Sequence, residues 1–385
     1  MQKTDLLSKK INQSERIRWF KSGAKEGPVL VLFAGVHGNE PAGLKAIDAI
    51  SEKMNSSTHP FNGTVYAVTG NKQALELGVR YLDTDLNRLW EIFNTSKETP
   101  FLNGINTPAE YSESLEIKKV VDAILEAHEE SAREFIFADL HTTSSQSCAF
   151  ILLNDTLENR EIARKFPVPQ VLGIEENIHG TLLSYINNLG HKALGFEAGA
   201  HEDQRSIERS EAFLWLLMHA TGLYELGQAE TEKYGEKLQA HPNVPKTYYE
   251  VRNHKYVEDP DFFEMISGFE NFDIVKKGTP LAYEEGLLIR APVSGRIFMP
   301  LYQKEGHDGF MIIREVPEYW LKISGYLRKS FFHKYLKYLP GVSVMNEQSY
   351  RVNRTIARFL VKEVFHLLGY RVTEKDEDTL VCHKR

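Results

Sequence analysis

The sequence predicts an α/β fold, a central sheet flanked by helices, followed by a smaller β-rich unit and a helical C-terminal stretch. Three observations carry that prediction. Between residues 28 and 199 short apolar runs alternate with longer segments of helical period. From 246 to 316 the segments become short and β-rich, separated by turn signals such as KKGT, EEG, PVSG and EGHDG. Beyond Pro317 the pattern turns helical and basic-aromatic, EYWLKISGYLRKSFFHKYLKYL and then RVNRTIARFLVKEVFHLLGY.

Taken in order, the predicted strands are VLVLFAGV from Val29, GTVYAVTG from Gly63, EFIFADL from Glu134, CAFILLN from Cys148 and KALGFE from Lys192. Helices are predicted between and after them, over 41–54, 113–131, 157–166, 181–189 and 204–224. Pro41 suits a first helical turn, where its missing N–H removes a donor that had no partner. The basic-aromatic stretch after Pro317 reads as an amphipathic helix packed on the protein, the alternative being a face that meets a membrane or partner helix.

With 385 residues the chain exceeds what one hydrophobic core usually organises, and 42% hydrophobic content supplies ample material to bury. The expected division is 1–240, 241–316 and 317–385. A net charge of −7 with intermingled signs excludes the dense basic face of a nucleic-acid-binding protein and favours small-molecule chemistry. Cys148 and Cys382 are the only cysteines, so no disulfide framework is expected. MQKTDLLSKKINQSERIRWF lacks the apolar core of a signal peptide, and no stretch approaches the ~20 apolar residues of a membrane span. These features predict a soluble, cytoplasmic chain.

The candidate chemistry comes from residues far apart in sequence that are expected just past strand ends. They are His37 and Glu40 in GVHGNEPAG, His141 in ADLHTTSS and Glu197 in LGFEAGAH. Two imidazoles and a carboxylate fill three corners of a tetrahedral Zn²⁺ site and leave the fourth for water, while a second carboxylate can take that water's proton. His-x-x-Glu converges on one point because a turn brings positions i and i+3 to the same side. On its own this spacing is more often a surface coincidence, and its place at the carboxyl end of a sheet strand is what raises it. Asp139 and His141 lie two apart in an extended run and so share a face; a histidine there could instead be hydrogen-bonded at a sheet edge. Glu197 sits in an apolar context where an acid is either paired with an arginine or functional.

RYLDTDLNRLW concentrates Arg80, Asp85, Asn87 and Arg88 within nine positions. Guanidinium groups there would bind a carboxylate or steady a forming oxyanion. The alternative is a surface ion-pair cluster in which Asp83 or Asp85 neutralises Arg80 or Arg88.

GVHGNE, RYLDTDLNR, DLHTT and GFEAG, in this order, resemble the succinylglutamate desuccinylase and aspartoacylase family, which belongs to the wider zinc carboxypeptidase fold with its central mixed sheet. The resemblance spans roughly residues 28 to 200, and more loosely the β-rich segment to about 316; the tail lies outside it. It implies one Zn²⁺ per chain held by His37, Glu40 and His141, with Glu197 as general base and acid. Arg80 would polarise the scissile carbonyl, Asn87 and Arg88 would hold a substrate carboxylate, and Asp85 would orient a zinc-binding histidine from behind. Tyr283 in TPLAYEEG resembles a tyrosine that closes the site from the second unit, although an ordinary strand tyrosine fits the same pattern. The reaction implied is hydrolysis of a small anionic N-acyl amino acid. Alternatives are a carboxypeptidase or amidase acting on peptide-like chains, and a non-catalytic metal-binding module. A homo-oligomer is compatible with any of them. The family's aspartate-specific members place an arginine shortly before the base glutamate, and this chain has none between Arg164 and Arg205.

Overall fold

The computed structural model describes residues 11, 14–94, 107–239, 244–357, 361–376 and 378–385. Its frame is an eleven-stranded mixed sheet in the order β1-β3-β2-β4-β7-β5-β6-β8-β14-β13-β10. The strands are β1 (Ile17–Ser22), β2 (Ala24–Ala34), β3 (Asn62–Thr69), β4 (Phe135–Thr143), β5 (Phe150–Leu153), β6 (Gln170–Leu172), β7 (Lys192–Ala200), β8 (Tyr248–Tyr256), β10 (Ile274–Val275), β13 (Gly295–Phe298) and β14 (Asp308–Val316). A separate three-stranded sheet holds β9 (Phe263–Met265), β11 (Pro280–Glu284) and β12 (Leu287–Arg290).

The helices of this part are α1 (Ala42–Asn55), α2 (Lys72–Leu77), α3 (Ala109–His128), α4 (Leu157–Ala163), α5 (Leu182–Asn188), α6 (Gln204–Thr221) and α7 (Gln228–Leu238). β2 reads as an unbroken apolar run because both of its faces are covered. Leu30, Leu32 and Ala34 pack with Ile47 and Ile50 of α1 and Phe213 and Leu217 of α6. The alternate residues, Val29, Val31 and Phe33, pack with Ile117, Val121 and Ile124 of α3 and Leu182 of α5. The helices thus clamp the parallel β3-β2-β4-β7 core from both sides, which fixes the strand ends where the candidate site lies.

The β-rich segment continues the main sheet. β8 pairs in parallel with β6, and β14 then pairs antiparallel with β8, so the segment is tied to the first 240 residues by backbone hydrogen bonds. The boundary expected at 240/241 lies outside the described residues. The one at 316/317 falls between β14 and α8 (Glu318–Lys329).

The C-terminal stretch differs from the helical expectation. α8 and α9 (Val361–Leu367) are present, but β15 (Val342–Asn346), β16 (Ser349–Asn353), β17 (Tyr370–Asp376) and β18 (Thr379–Lys384) form a four-stranded antiparallel sheet. The cause is a period-2 pattern hidden among charges. Tyr350 and Val352, Tyr370 and Val372, and Leu380 and Cys382 point inward and share a core with Phe365 and Leu368. α8 is packed on one side only: Ser324 is buried, whereas Trp320 is 42% and Tyr326 74% exposed. Among the described residues no helix is long and apolar enough to cross a membrane.

Candidate metal centre

β2 ends at Ala34 and the chain turns at Gly35, whose φ of +72° is strained for any residue with a side chain. A Cβ on Gly38 would lie 2.1 Å from the carbonyl carbon of Ala74, so only glycine lets the following turn press against α2. Gly38 N–H also donates to Arg80 O at 3.1 Å, joining this turn to the second candidate loop. His37 and Glu40 therefore sit in a fixed turn just before α1, with His37 Nδ1 2.8 Å from Glu40 Oε1.

The second oxygen of Glu40 faces His141, with Nδ1 to Oε2 at 3.1 Å, and accepts from Thr142 N–H at 2.9 Å. One ligand atom from each of His37, Glu40 and His141 falls within 4.8 Å of the others, and all three residues are buried. Each imidazole is held from behind by a carboxylate: His37 Nε2 lies 3.1 Å from Asp85 Oδ1 and His141 Nε2 2.8 Å from Asp139 Oδ2. Carboxylates behind ligating histidines fix ring orientation and raise basicity, and this donor set fits Zn²⁺. Burial alone would raise the Glu40 pKa, but the adjacent imidazoles outweigh it and hold this carboxyl well below its ordinary range. Burial likewise opposes a charge on His141, yet Asp139 and Glu40 hold its pKa well above the ordinary imidazole value. The pocket is built to stabilise positive charge at this point.

Arg80 stands beside the cluster. Its Nη2 is 3.0 Å from Asp85 Oδ2 and its Nη1 3.5 Å from Glu40 Oε1. Asp85 thereby spans His37 and Arg80, and Asn87 N–H donates to its Oδ1 at 2.8 Å, shaping the 3-10 turn Leu86–Arg88.

His141 and Glu197 do not lie past strand ends as expected. β4 continues to Thr143 and β7 to Ala200, because their pairing runs beyond both residues, with His141 opposite Glu197. Glu197 is 4% exposed, and its Oε2 is buried without a hydrogen-bond partner. Burial, reinforced by the negative charges of Glu40 and Asp139 and opposed by His141 and Arg80, pushes its pKa up to about 8.

The remaining predicted residues are placed as follows. Asn87 is buried, and its Oδ1 accepts from Leu182 N–H at 2.8 Å, anchoring the first turn of α5. Arg88 Nη2 lies 2.5 Å from Asp308 Oδ2, and Asp308 Oδ1 lies 2.8 Å from His254 Nε2. Tyr283 is 44% exposed on β11, in the three-stranded sheet apart from the strands that carry the other residues. Sequence reasoning did not single out Asp308 or His254. Asp308 lies in EGHDG, which reads as a turn, and only the pairing of β14 with β8 brings it beside His254. His201 was likewise passed over; its Nδ1 is 2.7 Å from Thr142 Oγ1 and its Nε2 3.3 Å from Gln303 Oε1.

Residues 26–213 match the family model described as the succinylglutamate desuccinylase/aspartoacylase catalytic domain. A succinylglutamate desuccinylase of Shewanella piezotolerans is 26% identical over 286 residues, covering 69% of this chain and 76% of that protein. A succinylglutamate desuccinylase of Pseudomonas syringae pv. tomato is 33% identical over 84 residues, covering 20% of this chain. That match spans 25% of the relative's own length, as do those to several Pseudomonas relatives beside it. Among solved structures, succinylglutamate desuccinylase from Vibrio parahaemolyticus aligns with a TM-score of 0.55 at 17% identity, covering 81% of this chain and 95% of the other.

Proposed function

Because residues 26–213 belong to the succinylglutamate desuccinylase/aspartoacylase catalytic-domain family, we propose that this chain is a zinc-dependent hydrolase cleaving the amide bond of small N-acyl amino acids. The observation that carries the reading is the convergence of His37, Glu40 and His141 around one point, with the buried carboxyl of Glu197 on the strand next to His141. These three residues would hold one Zn²⁺, which when bound makes hydroxide available near neutral pH and polarises an acyl oxygen. Asp85 and Asp139 keep the ligand rings oriented for it.

The chain's own groups supply the rest. Glu197, ionised when a cation occupies the site, accepts the proton of the attacking water and delivers it to the departing nitrogen, a task suited to a carboxyl whose pKa lies near the working pH. Arg80, fixed by Asp85 and Glu40, presents its guanidinium to the acyl oxygen as negative charge develops. Arg88 and the amide nitrogen of Asn87 receive a substrate carboxylate. Tyr283 completes the proposed contacts from the β-rich unit.

Small substrates fit better than peptides because the β-rich segment is fastened against the site. Asp308 grips Arg88, Gln303 meets His201, and Pro300 O accepts from Ser144 Oγ at 3.4 Å. Activity in the cytoplasm belongs to the same reading. The test is metal content of the purified protein together with amine release from N-acetyl and N-succinyl amino acids, before and after chelation. Zinc near one per chain with chelator-sensitive release supports the hydrolase. Zinc without release from these compounds, but with release from peptides, would replace it by a carboxypeptidase, and metal without release from either would leave a non-catalytic metal-binding module.

A further inference from the structure

The guanidinium proposed to receive the substrate's carboxylate already faces a carboxylate of the chain itself. Asp308, the first residue of β14, places Oδ2 2.5 Å from Arg88 Nη2 while His254 of β8 holds Oδ1 at 2.8 Å. All three side chains are partly buried. Although burial opposes it, His254 and Arg88 keep Asp308 ionised, with a pKa of about 2. Arg80 is committed in the same way to Asp85 and Glu40. Both guanidiniums of the loop from Arg80 to Arg88 therefore carry acidic partners, and no arginine occurs between Arg164 and Arg205 in the approach to Glu197. Arg371, from the C-terminal sheet, reaches the adjoining turn and donates to His179 Nδ1 at 2.7 Å.

We propose, on the hydrolase reading above, that Asp308 is a specificity-determining residue: with Arg88 it forms a mixed-charge subsite that selects N-acyl amino acids bearing a cationic side chain. The reasoning is charge balance in a confined space. Arg88 and Asp308 sum to zero before substrate enters. The α-carboxylate of the substrate adds one negative charge beside Asp308, and like charges a few ångströms apart repel strongly where water is scarce. A cationic side chain on the same substrate restores neutrality by pairing with Asp308. A second carboxylate doubles the mismatch, and a buried polar contact left unmade discriminates far more than a missing methylene. The fixed position of Asp308, held from behind by His254, is what turns a charge preference into a directional one.

The experiment compares kcat/KM for the Nα-acetyl derivatives of ornithine, lysine, alanine, aspartate and glutamate in the zinc-loaded wild type, Asp308→Asn and Asp308→Ser. Equilibrium binding of the same compounds to each protein is measured by calorimetry, and thermal melting confirms that the variants fold. The wild type is expected to favour ornithine or lysine over aspartate or glutamate by at least tenfold, and Asp308→Asn to shrink that ratio to threefold or less. A wild-type preference for acidic side chains, or a ratio unchanged in both folded variants, overturns the assignment. If nothing is hydrolysed, the binding ratio decides: a cation preference lost in Asp308→Asn upholds the subsite while the hydrolase reading falls, and no binding by any compound overturns both.

Discussion

Glu197 lies directly opposite His141 across the β4–β7 pair, and one of its carboxylate oxygens is buried with no hydrogen-bond partner. A buried polar atom without a partner costs stability, so its persistence beside a candidate metal ligand points to work done on substrate or water. Glu197→Gln preserves size while removing the titratable carboxyl. The variant is expected to retain stoichiometric zinc and lose about 10²- to 10⁴-fold in kcat. Metal analysis and steady-state kinetics on one preparation check this. Turnover within tenfold of wild type would remove Glu197 from its proposed role.

Metal affinity should depend on the protonation of Glu197. With a pKa pushed up to about 8 when no cation is bound, the carboxyl is mostly protonated at pH 7. A divalent cation favours the ionised form, so binding must release that proton and apparent affinity must rise as pH increases from 7 toward 8. His141, whose pKa is also raised, contributes in the same direction. Competition titrations across this range are expected to give a pH slope that is shallower in Glu197→Gln by about one proton near pH 7. Equal slopes would show that Glu197 does not sense the cation.

Asp139 and Asp85 each hold the rear nitrogen of a proposed ligand, at 2.8 and 3.1 Å. Replacing either by asparagine keeps a hydrogen-bonding group but removes the negative charge that sustains the imidazole as a donor. Each substitution is expected to weaken zinc binding by about 10- to 100-fold. Asp85→Asn should also lower kcat, because it loosens Arg80. A chelator-competition assay that finds both variants within threefold of wild type would argue against a metal centre organised this way.

The main sheet was legible because its signals are local and redundant. The apolar run of β2, the glycines at 35 and 38 and the HxxE spacing all lie within a dozen residues and describe one strand, turn and helix. Glu197 was conspicuous as an acid in an apolar run. Asp308 was not, since its importance comes from side-chain contacts with His254, 54 positions away, and Arg88, 220 positions away, rather than from its neighbours in sequence. The C-terminal sheet was missed for a related reason: β15 to β18 are five to seven residues each, and Lys, Arg and Glu on their outer faces mask the alternation that their buried tyrosines, valines and leucines carry.

That C-terminal unit is held to the main sheet by an ionic cluster centred on Asp155. Its Oδ2 meets Arg160, Arg328 and Arg385 at 2.7, 2.6 and 2.8 Å, and Arg385 also pairs with Glu175 and Glu176. Burial disfavours the charge on Asp155, but Arg328, Arg160 and Arg385 outweigh it and hold its pKa far below the usual carboxylate range. A depressed carboxyl pKa contributes stability that is fully present above the unfolded value and lost as pH falls below it. Asp155→Asn strands three arginines around a neutral group and is expected to cost about 3–5 kcal/mol at pH 7. Between about pH 5 and 3 the variant should lose less stability than wild type, so their curves converge on acidification. Denaturant titrations at pH 7 and pH 3.5 check both parts. A loss under 1 kcal/mol at pH 7, or curves that stay parallel, would mean that the apolar contacts of the C-terminal core, rather than this cluster, keep the unit in place.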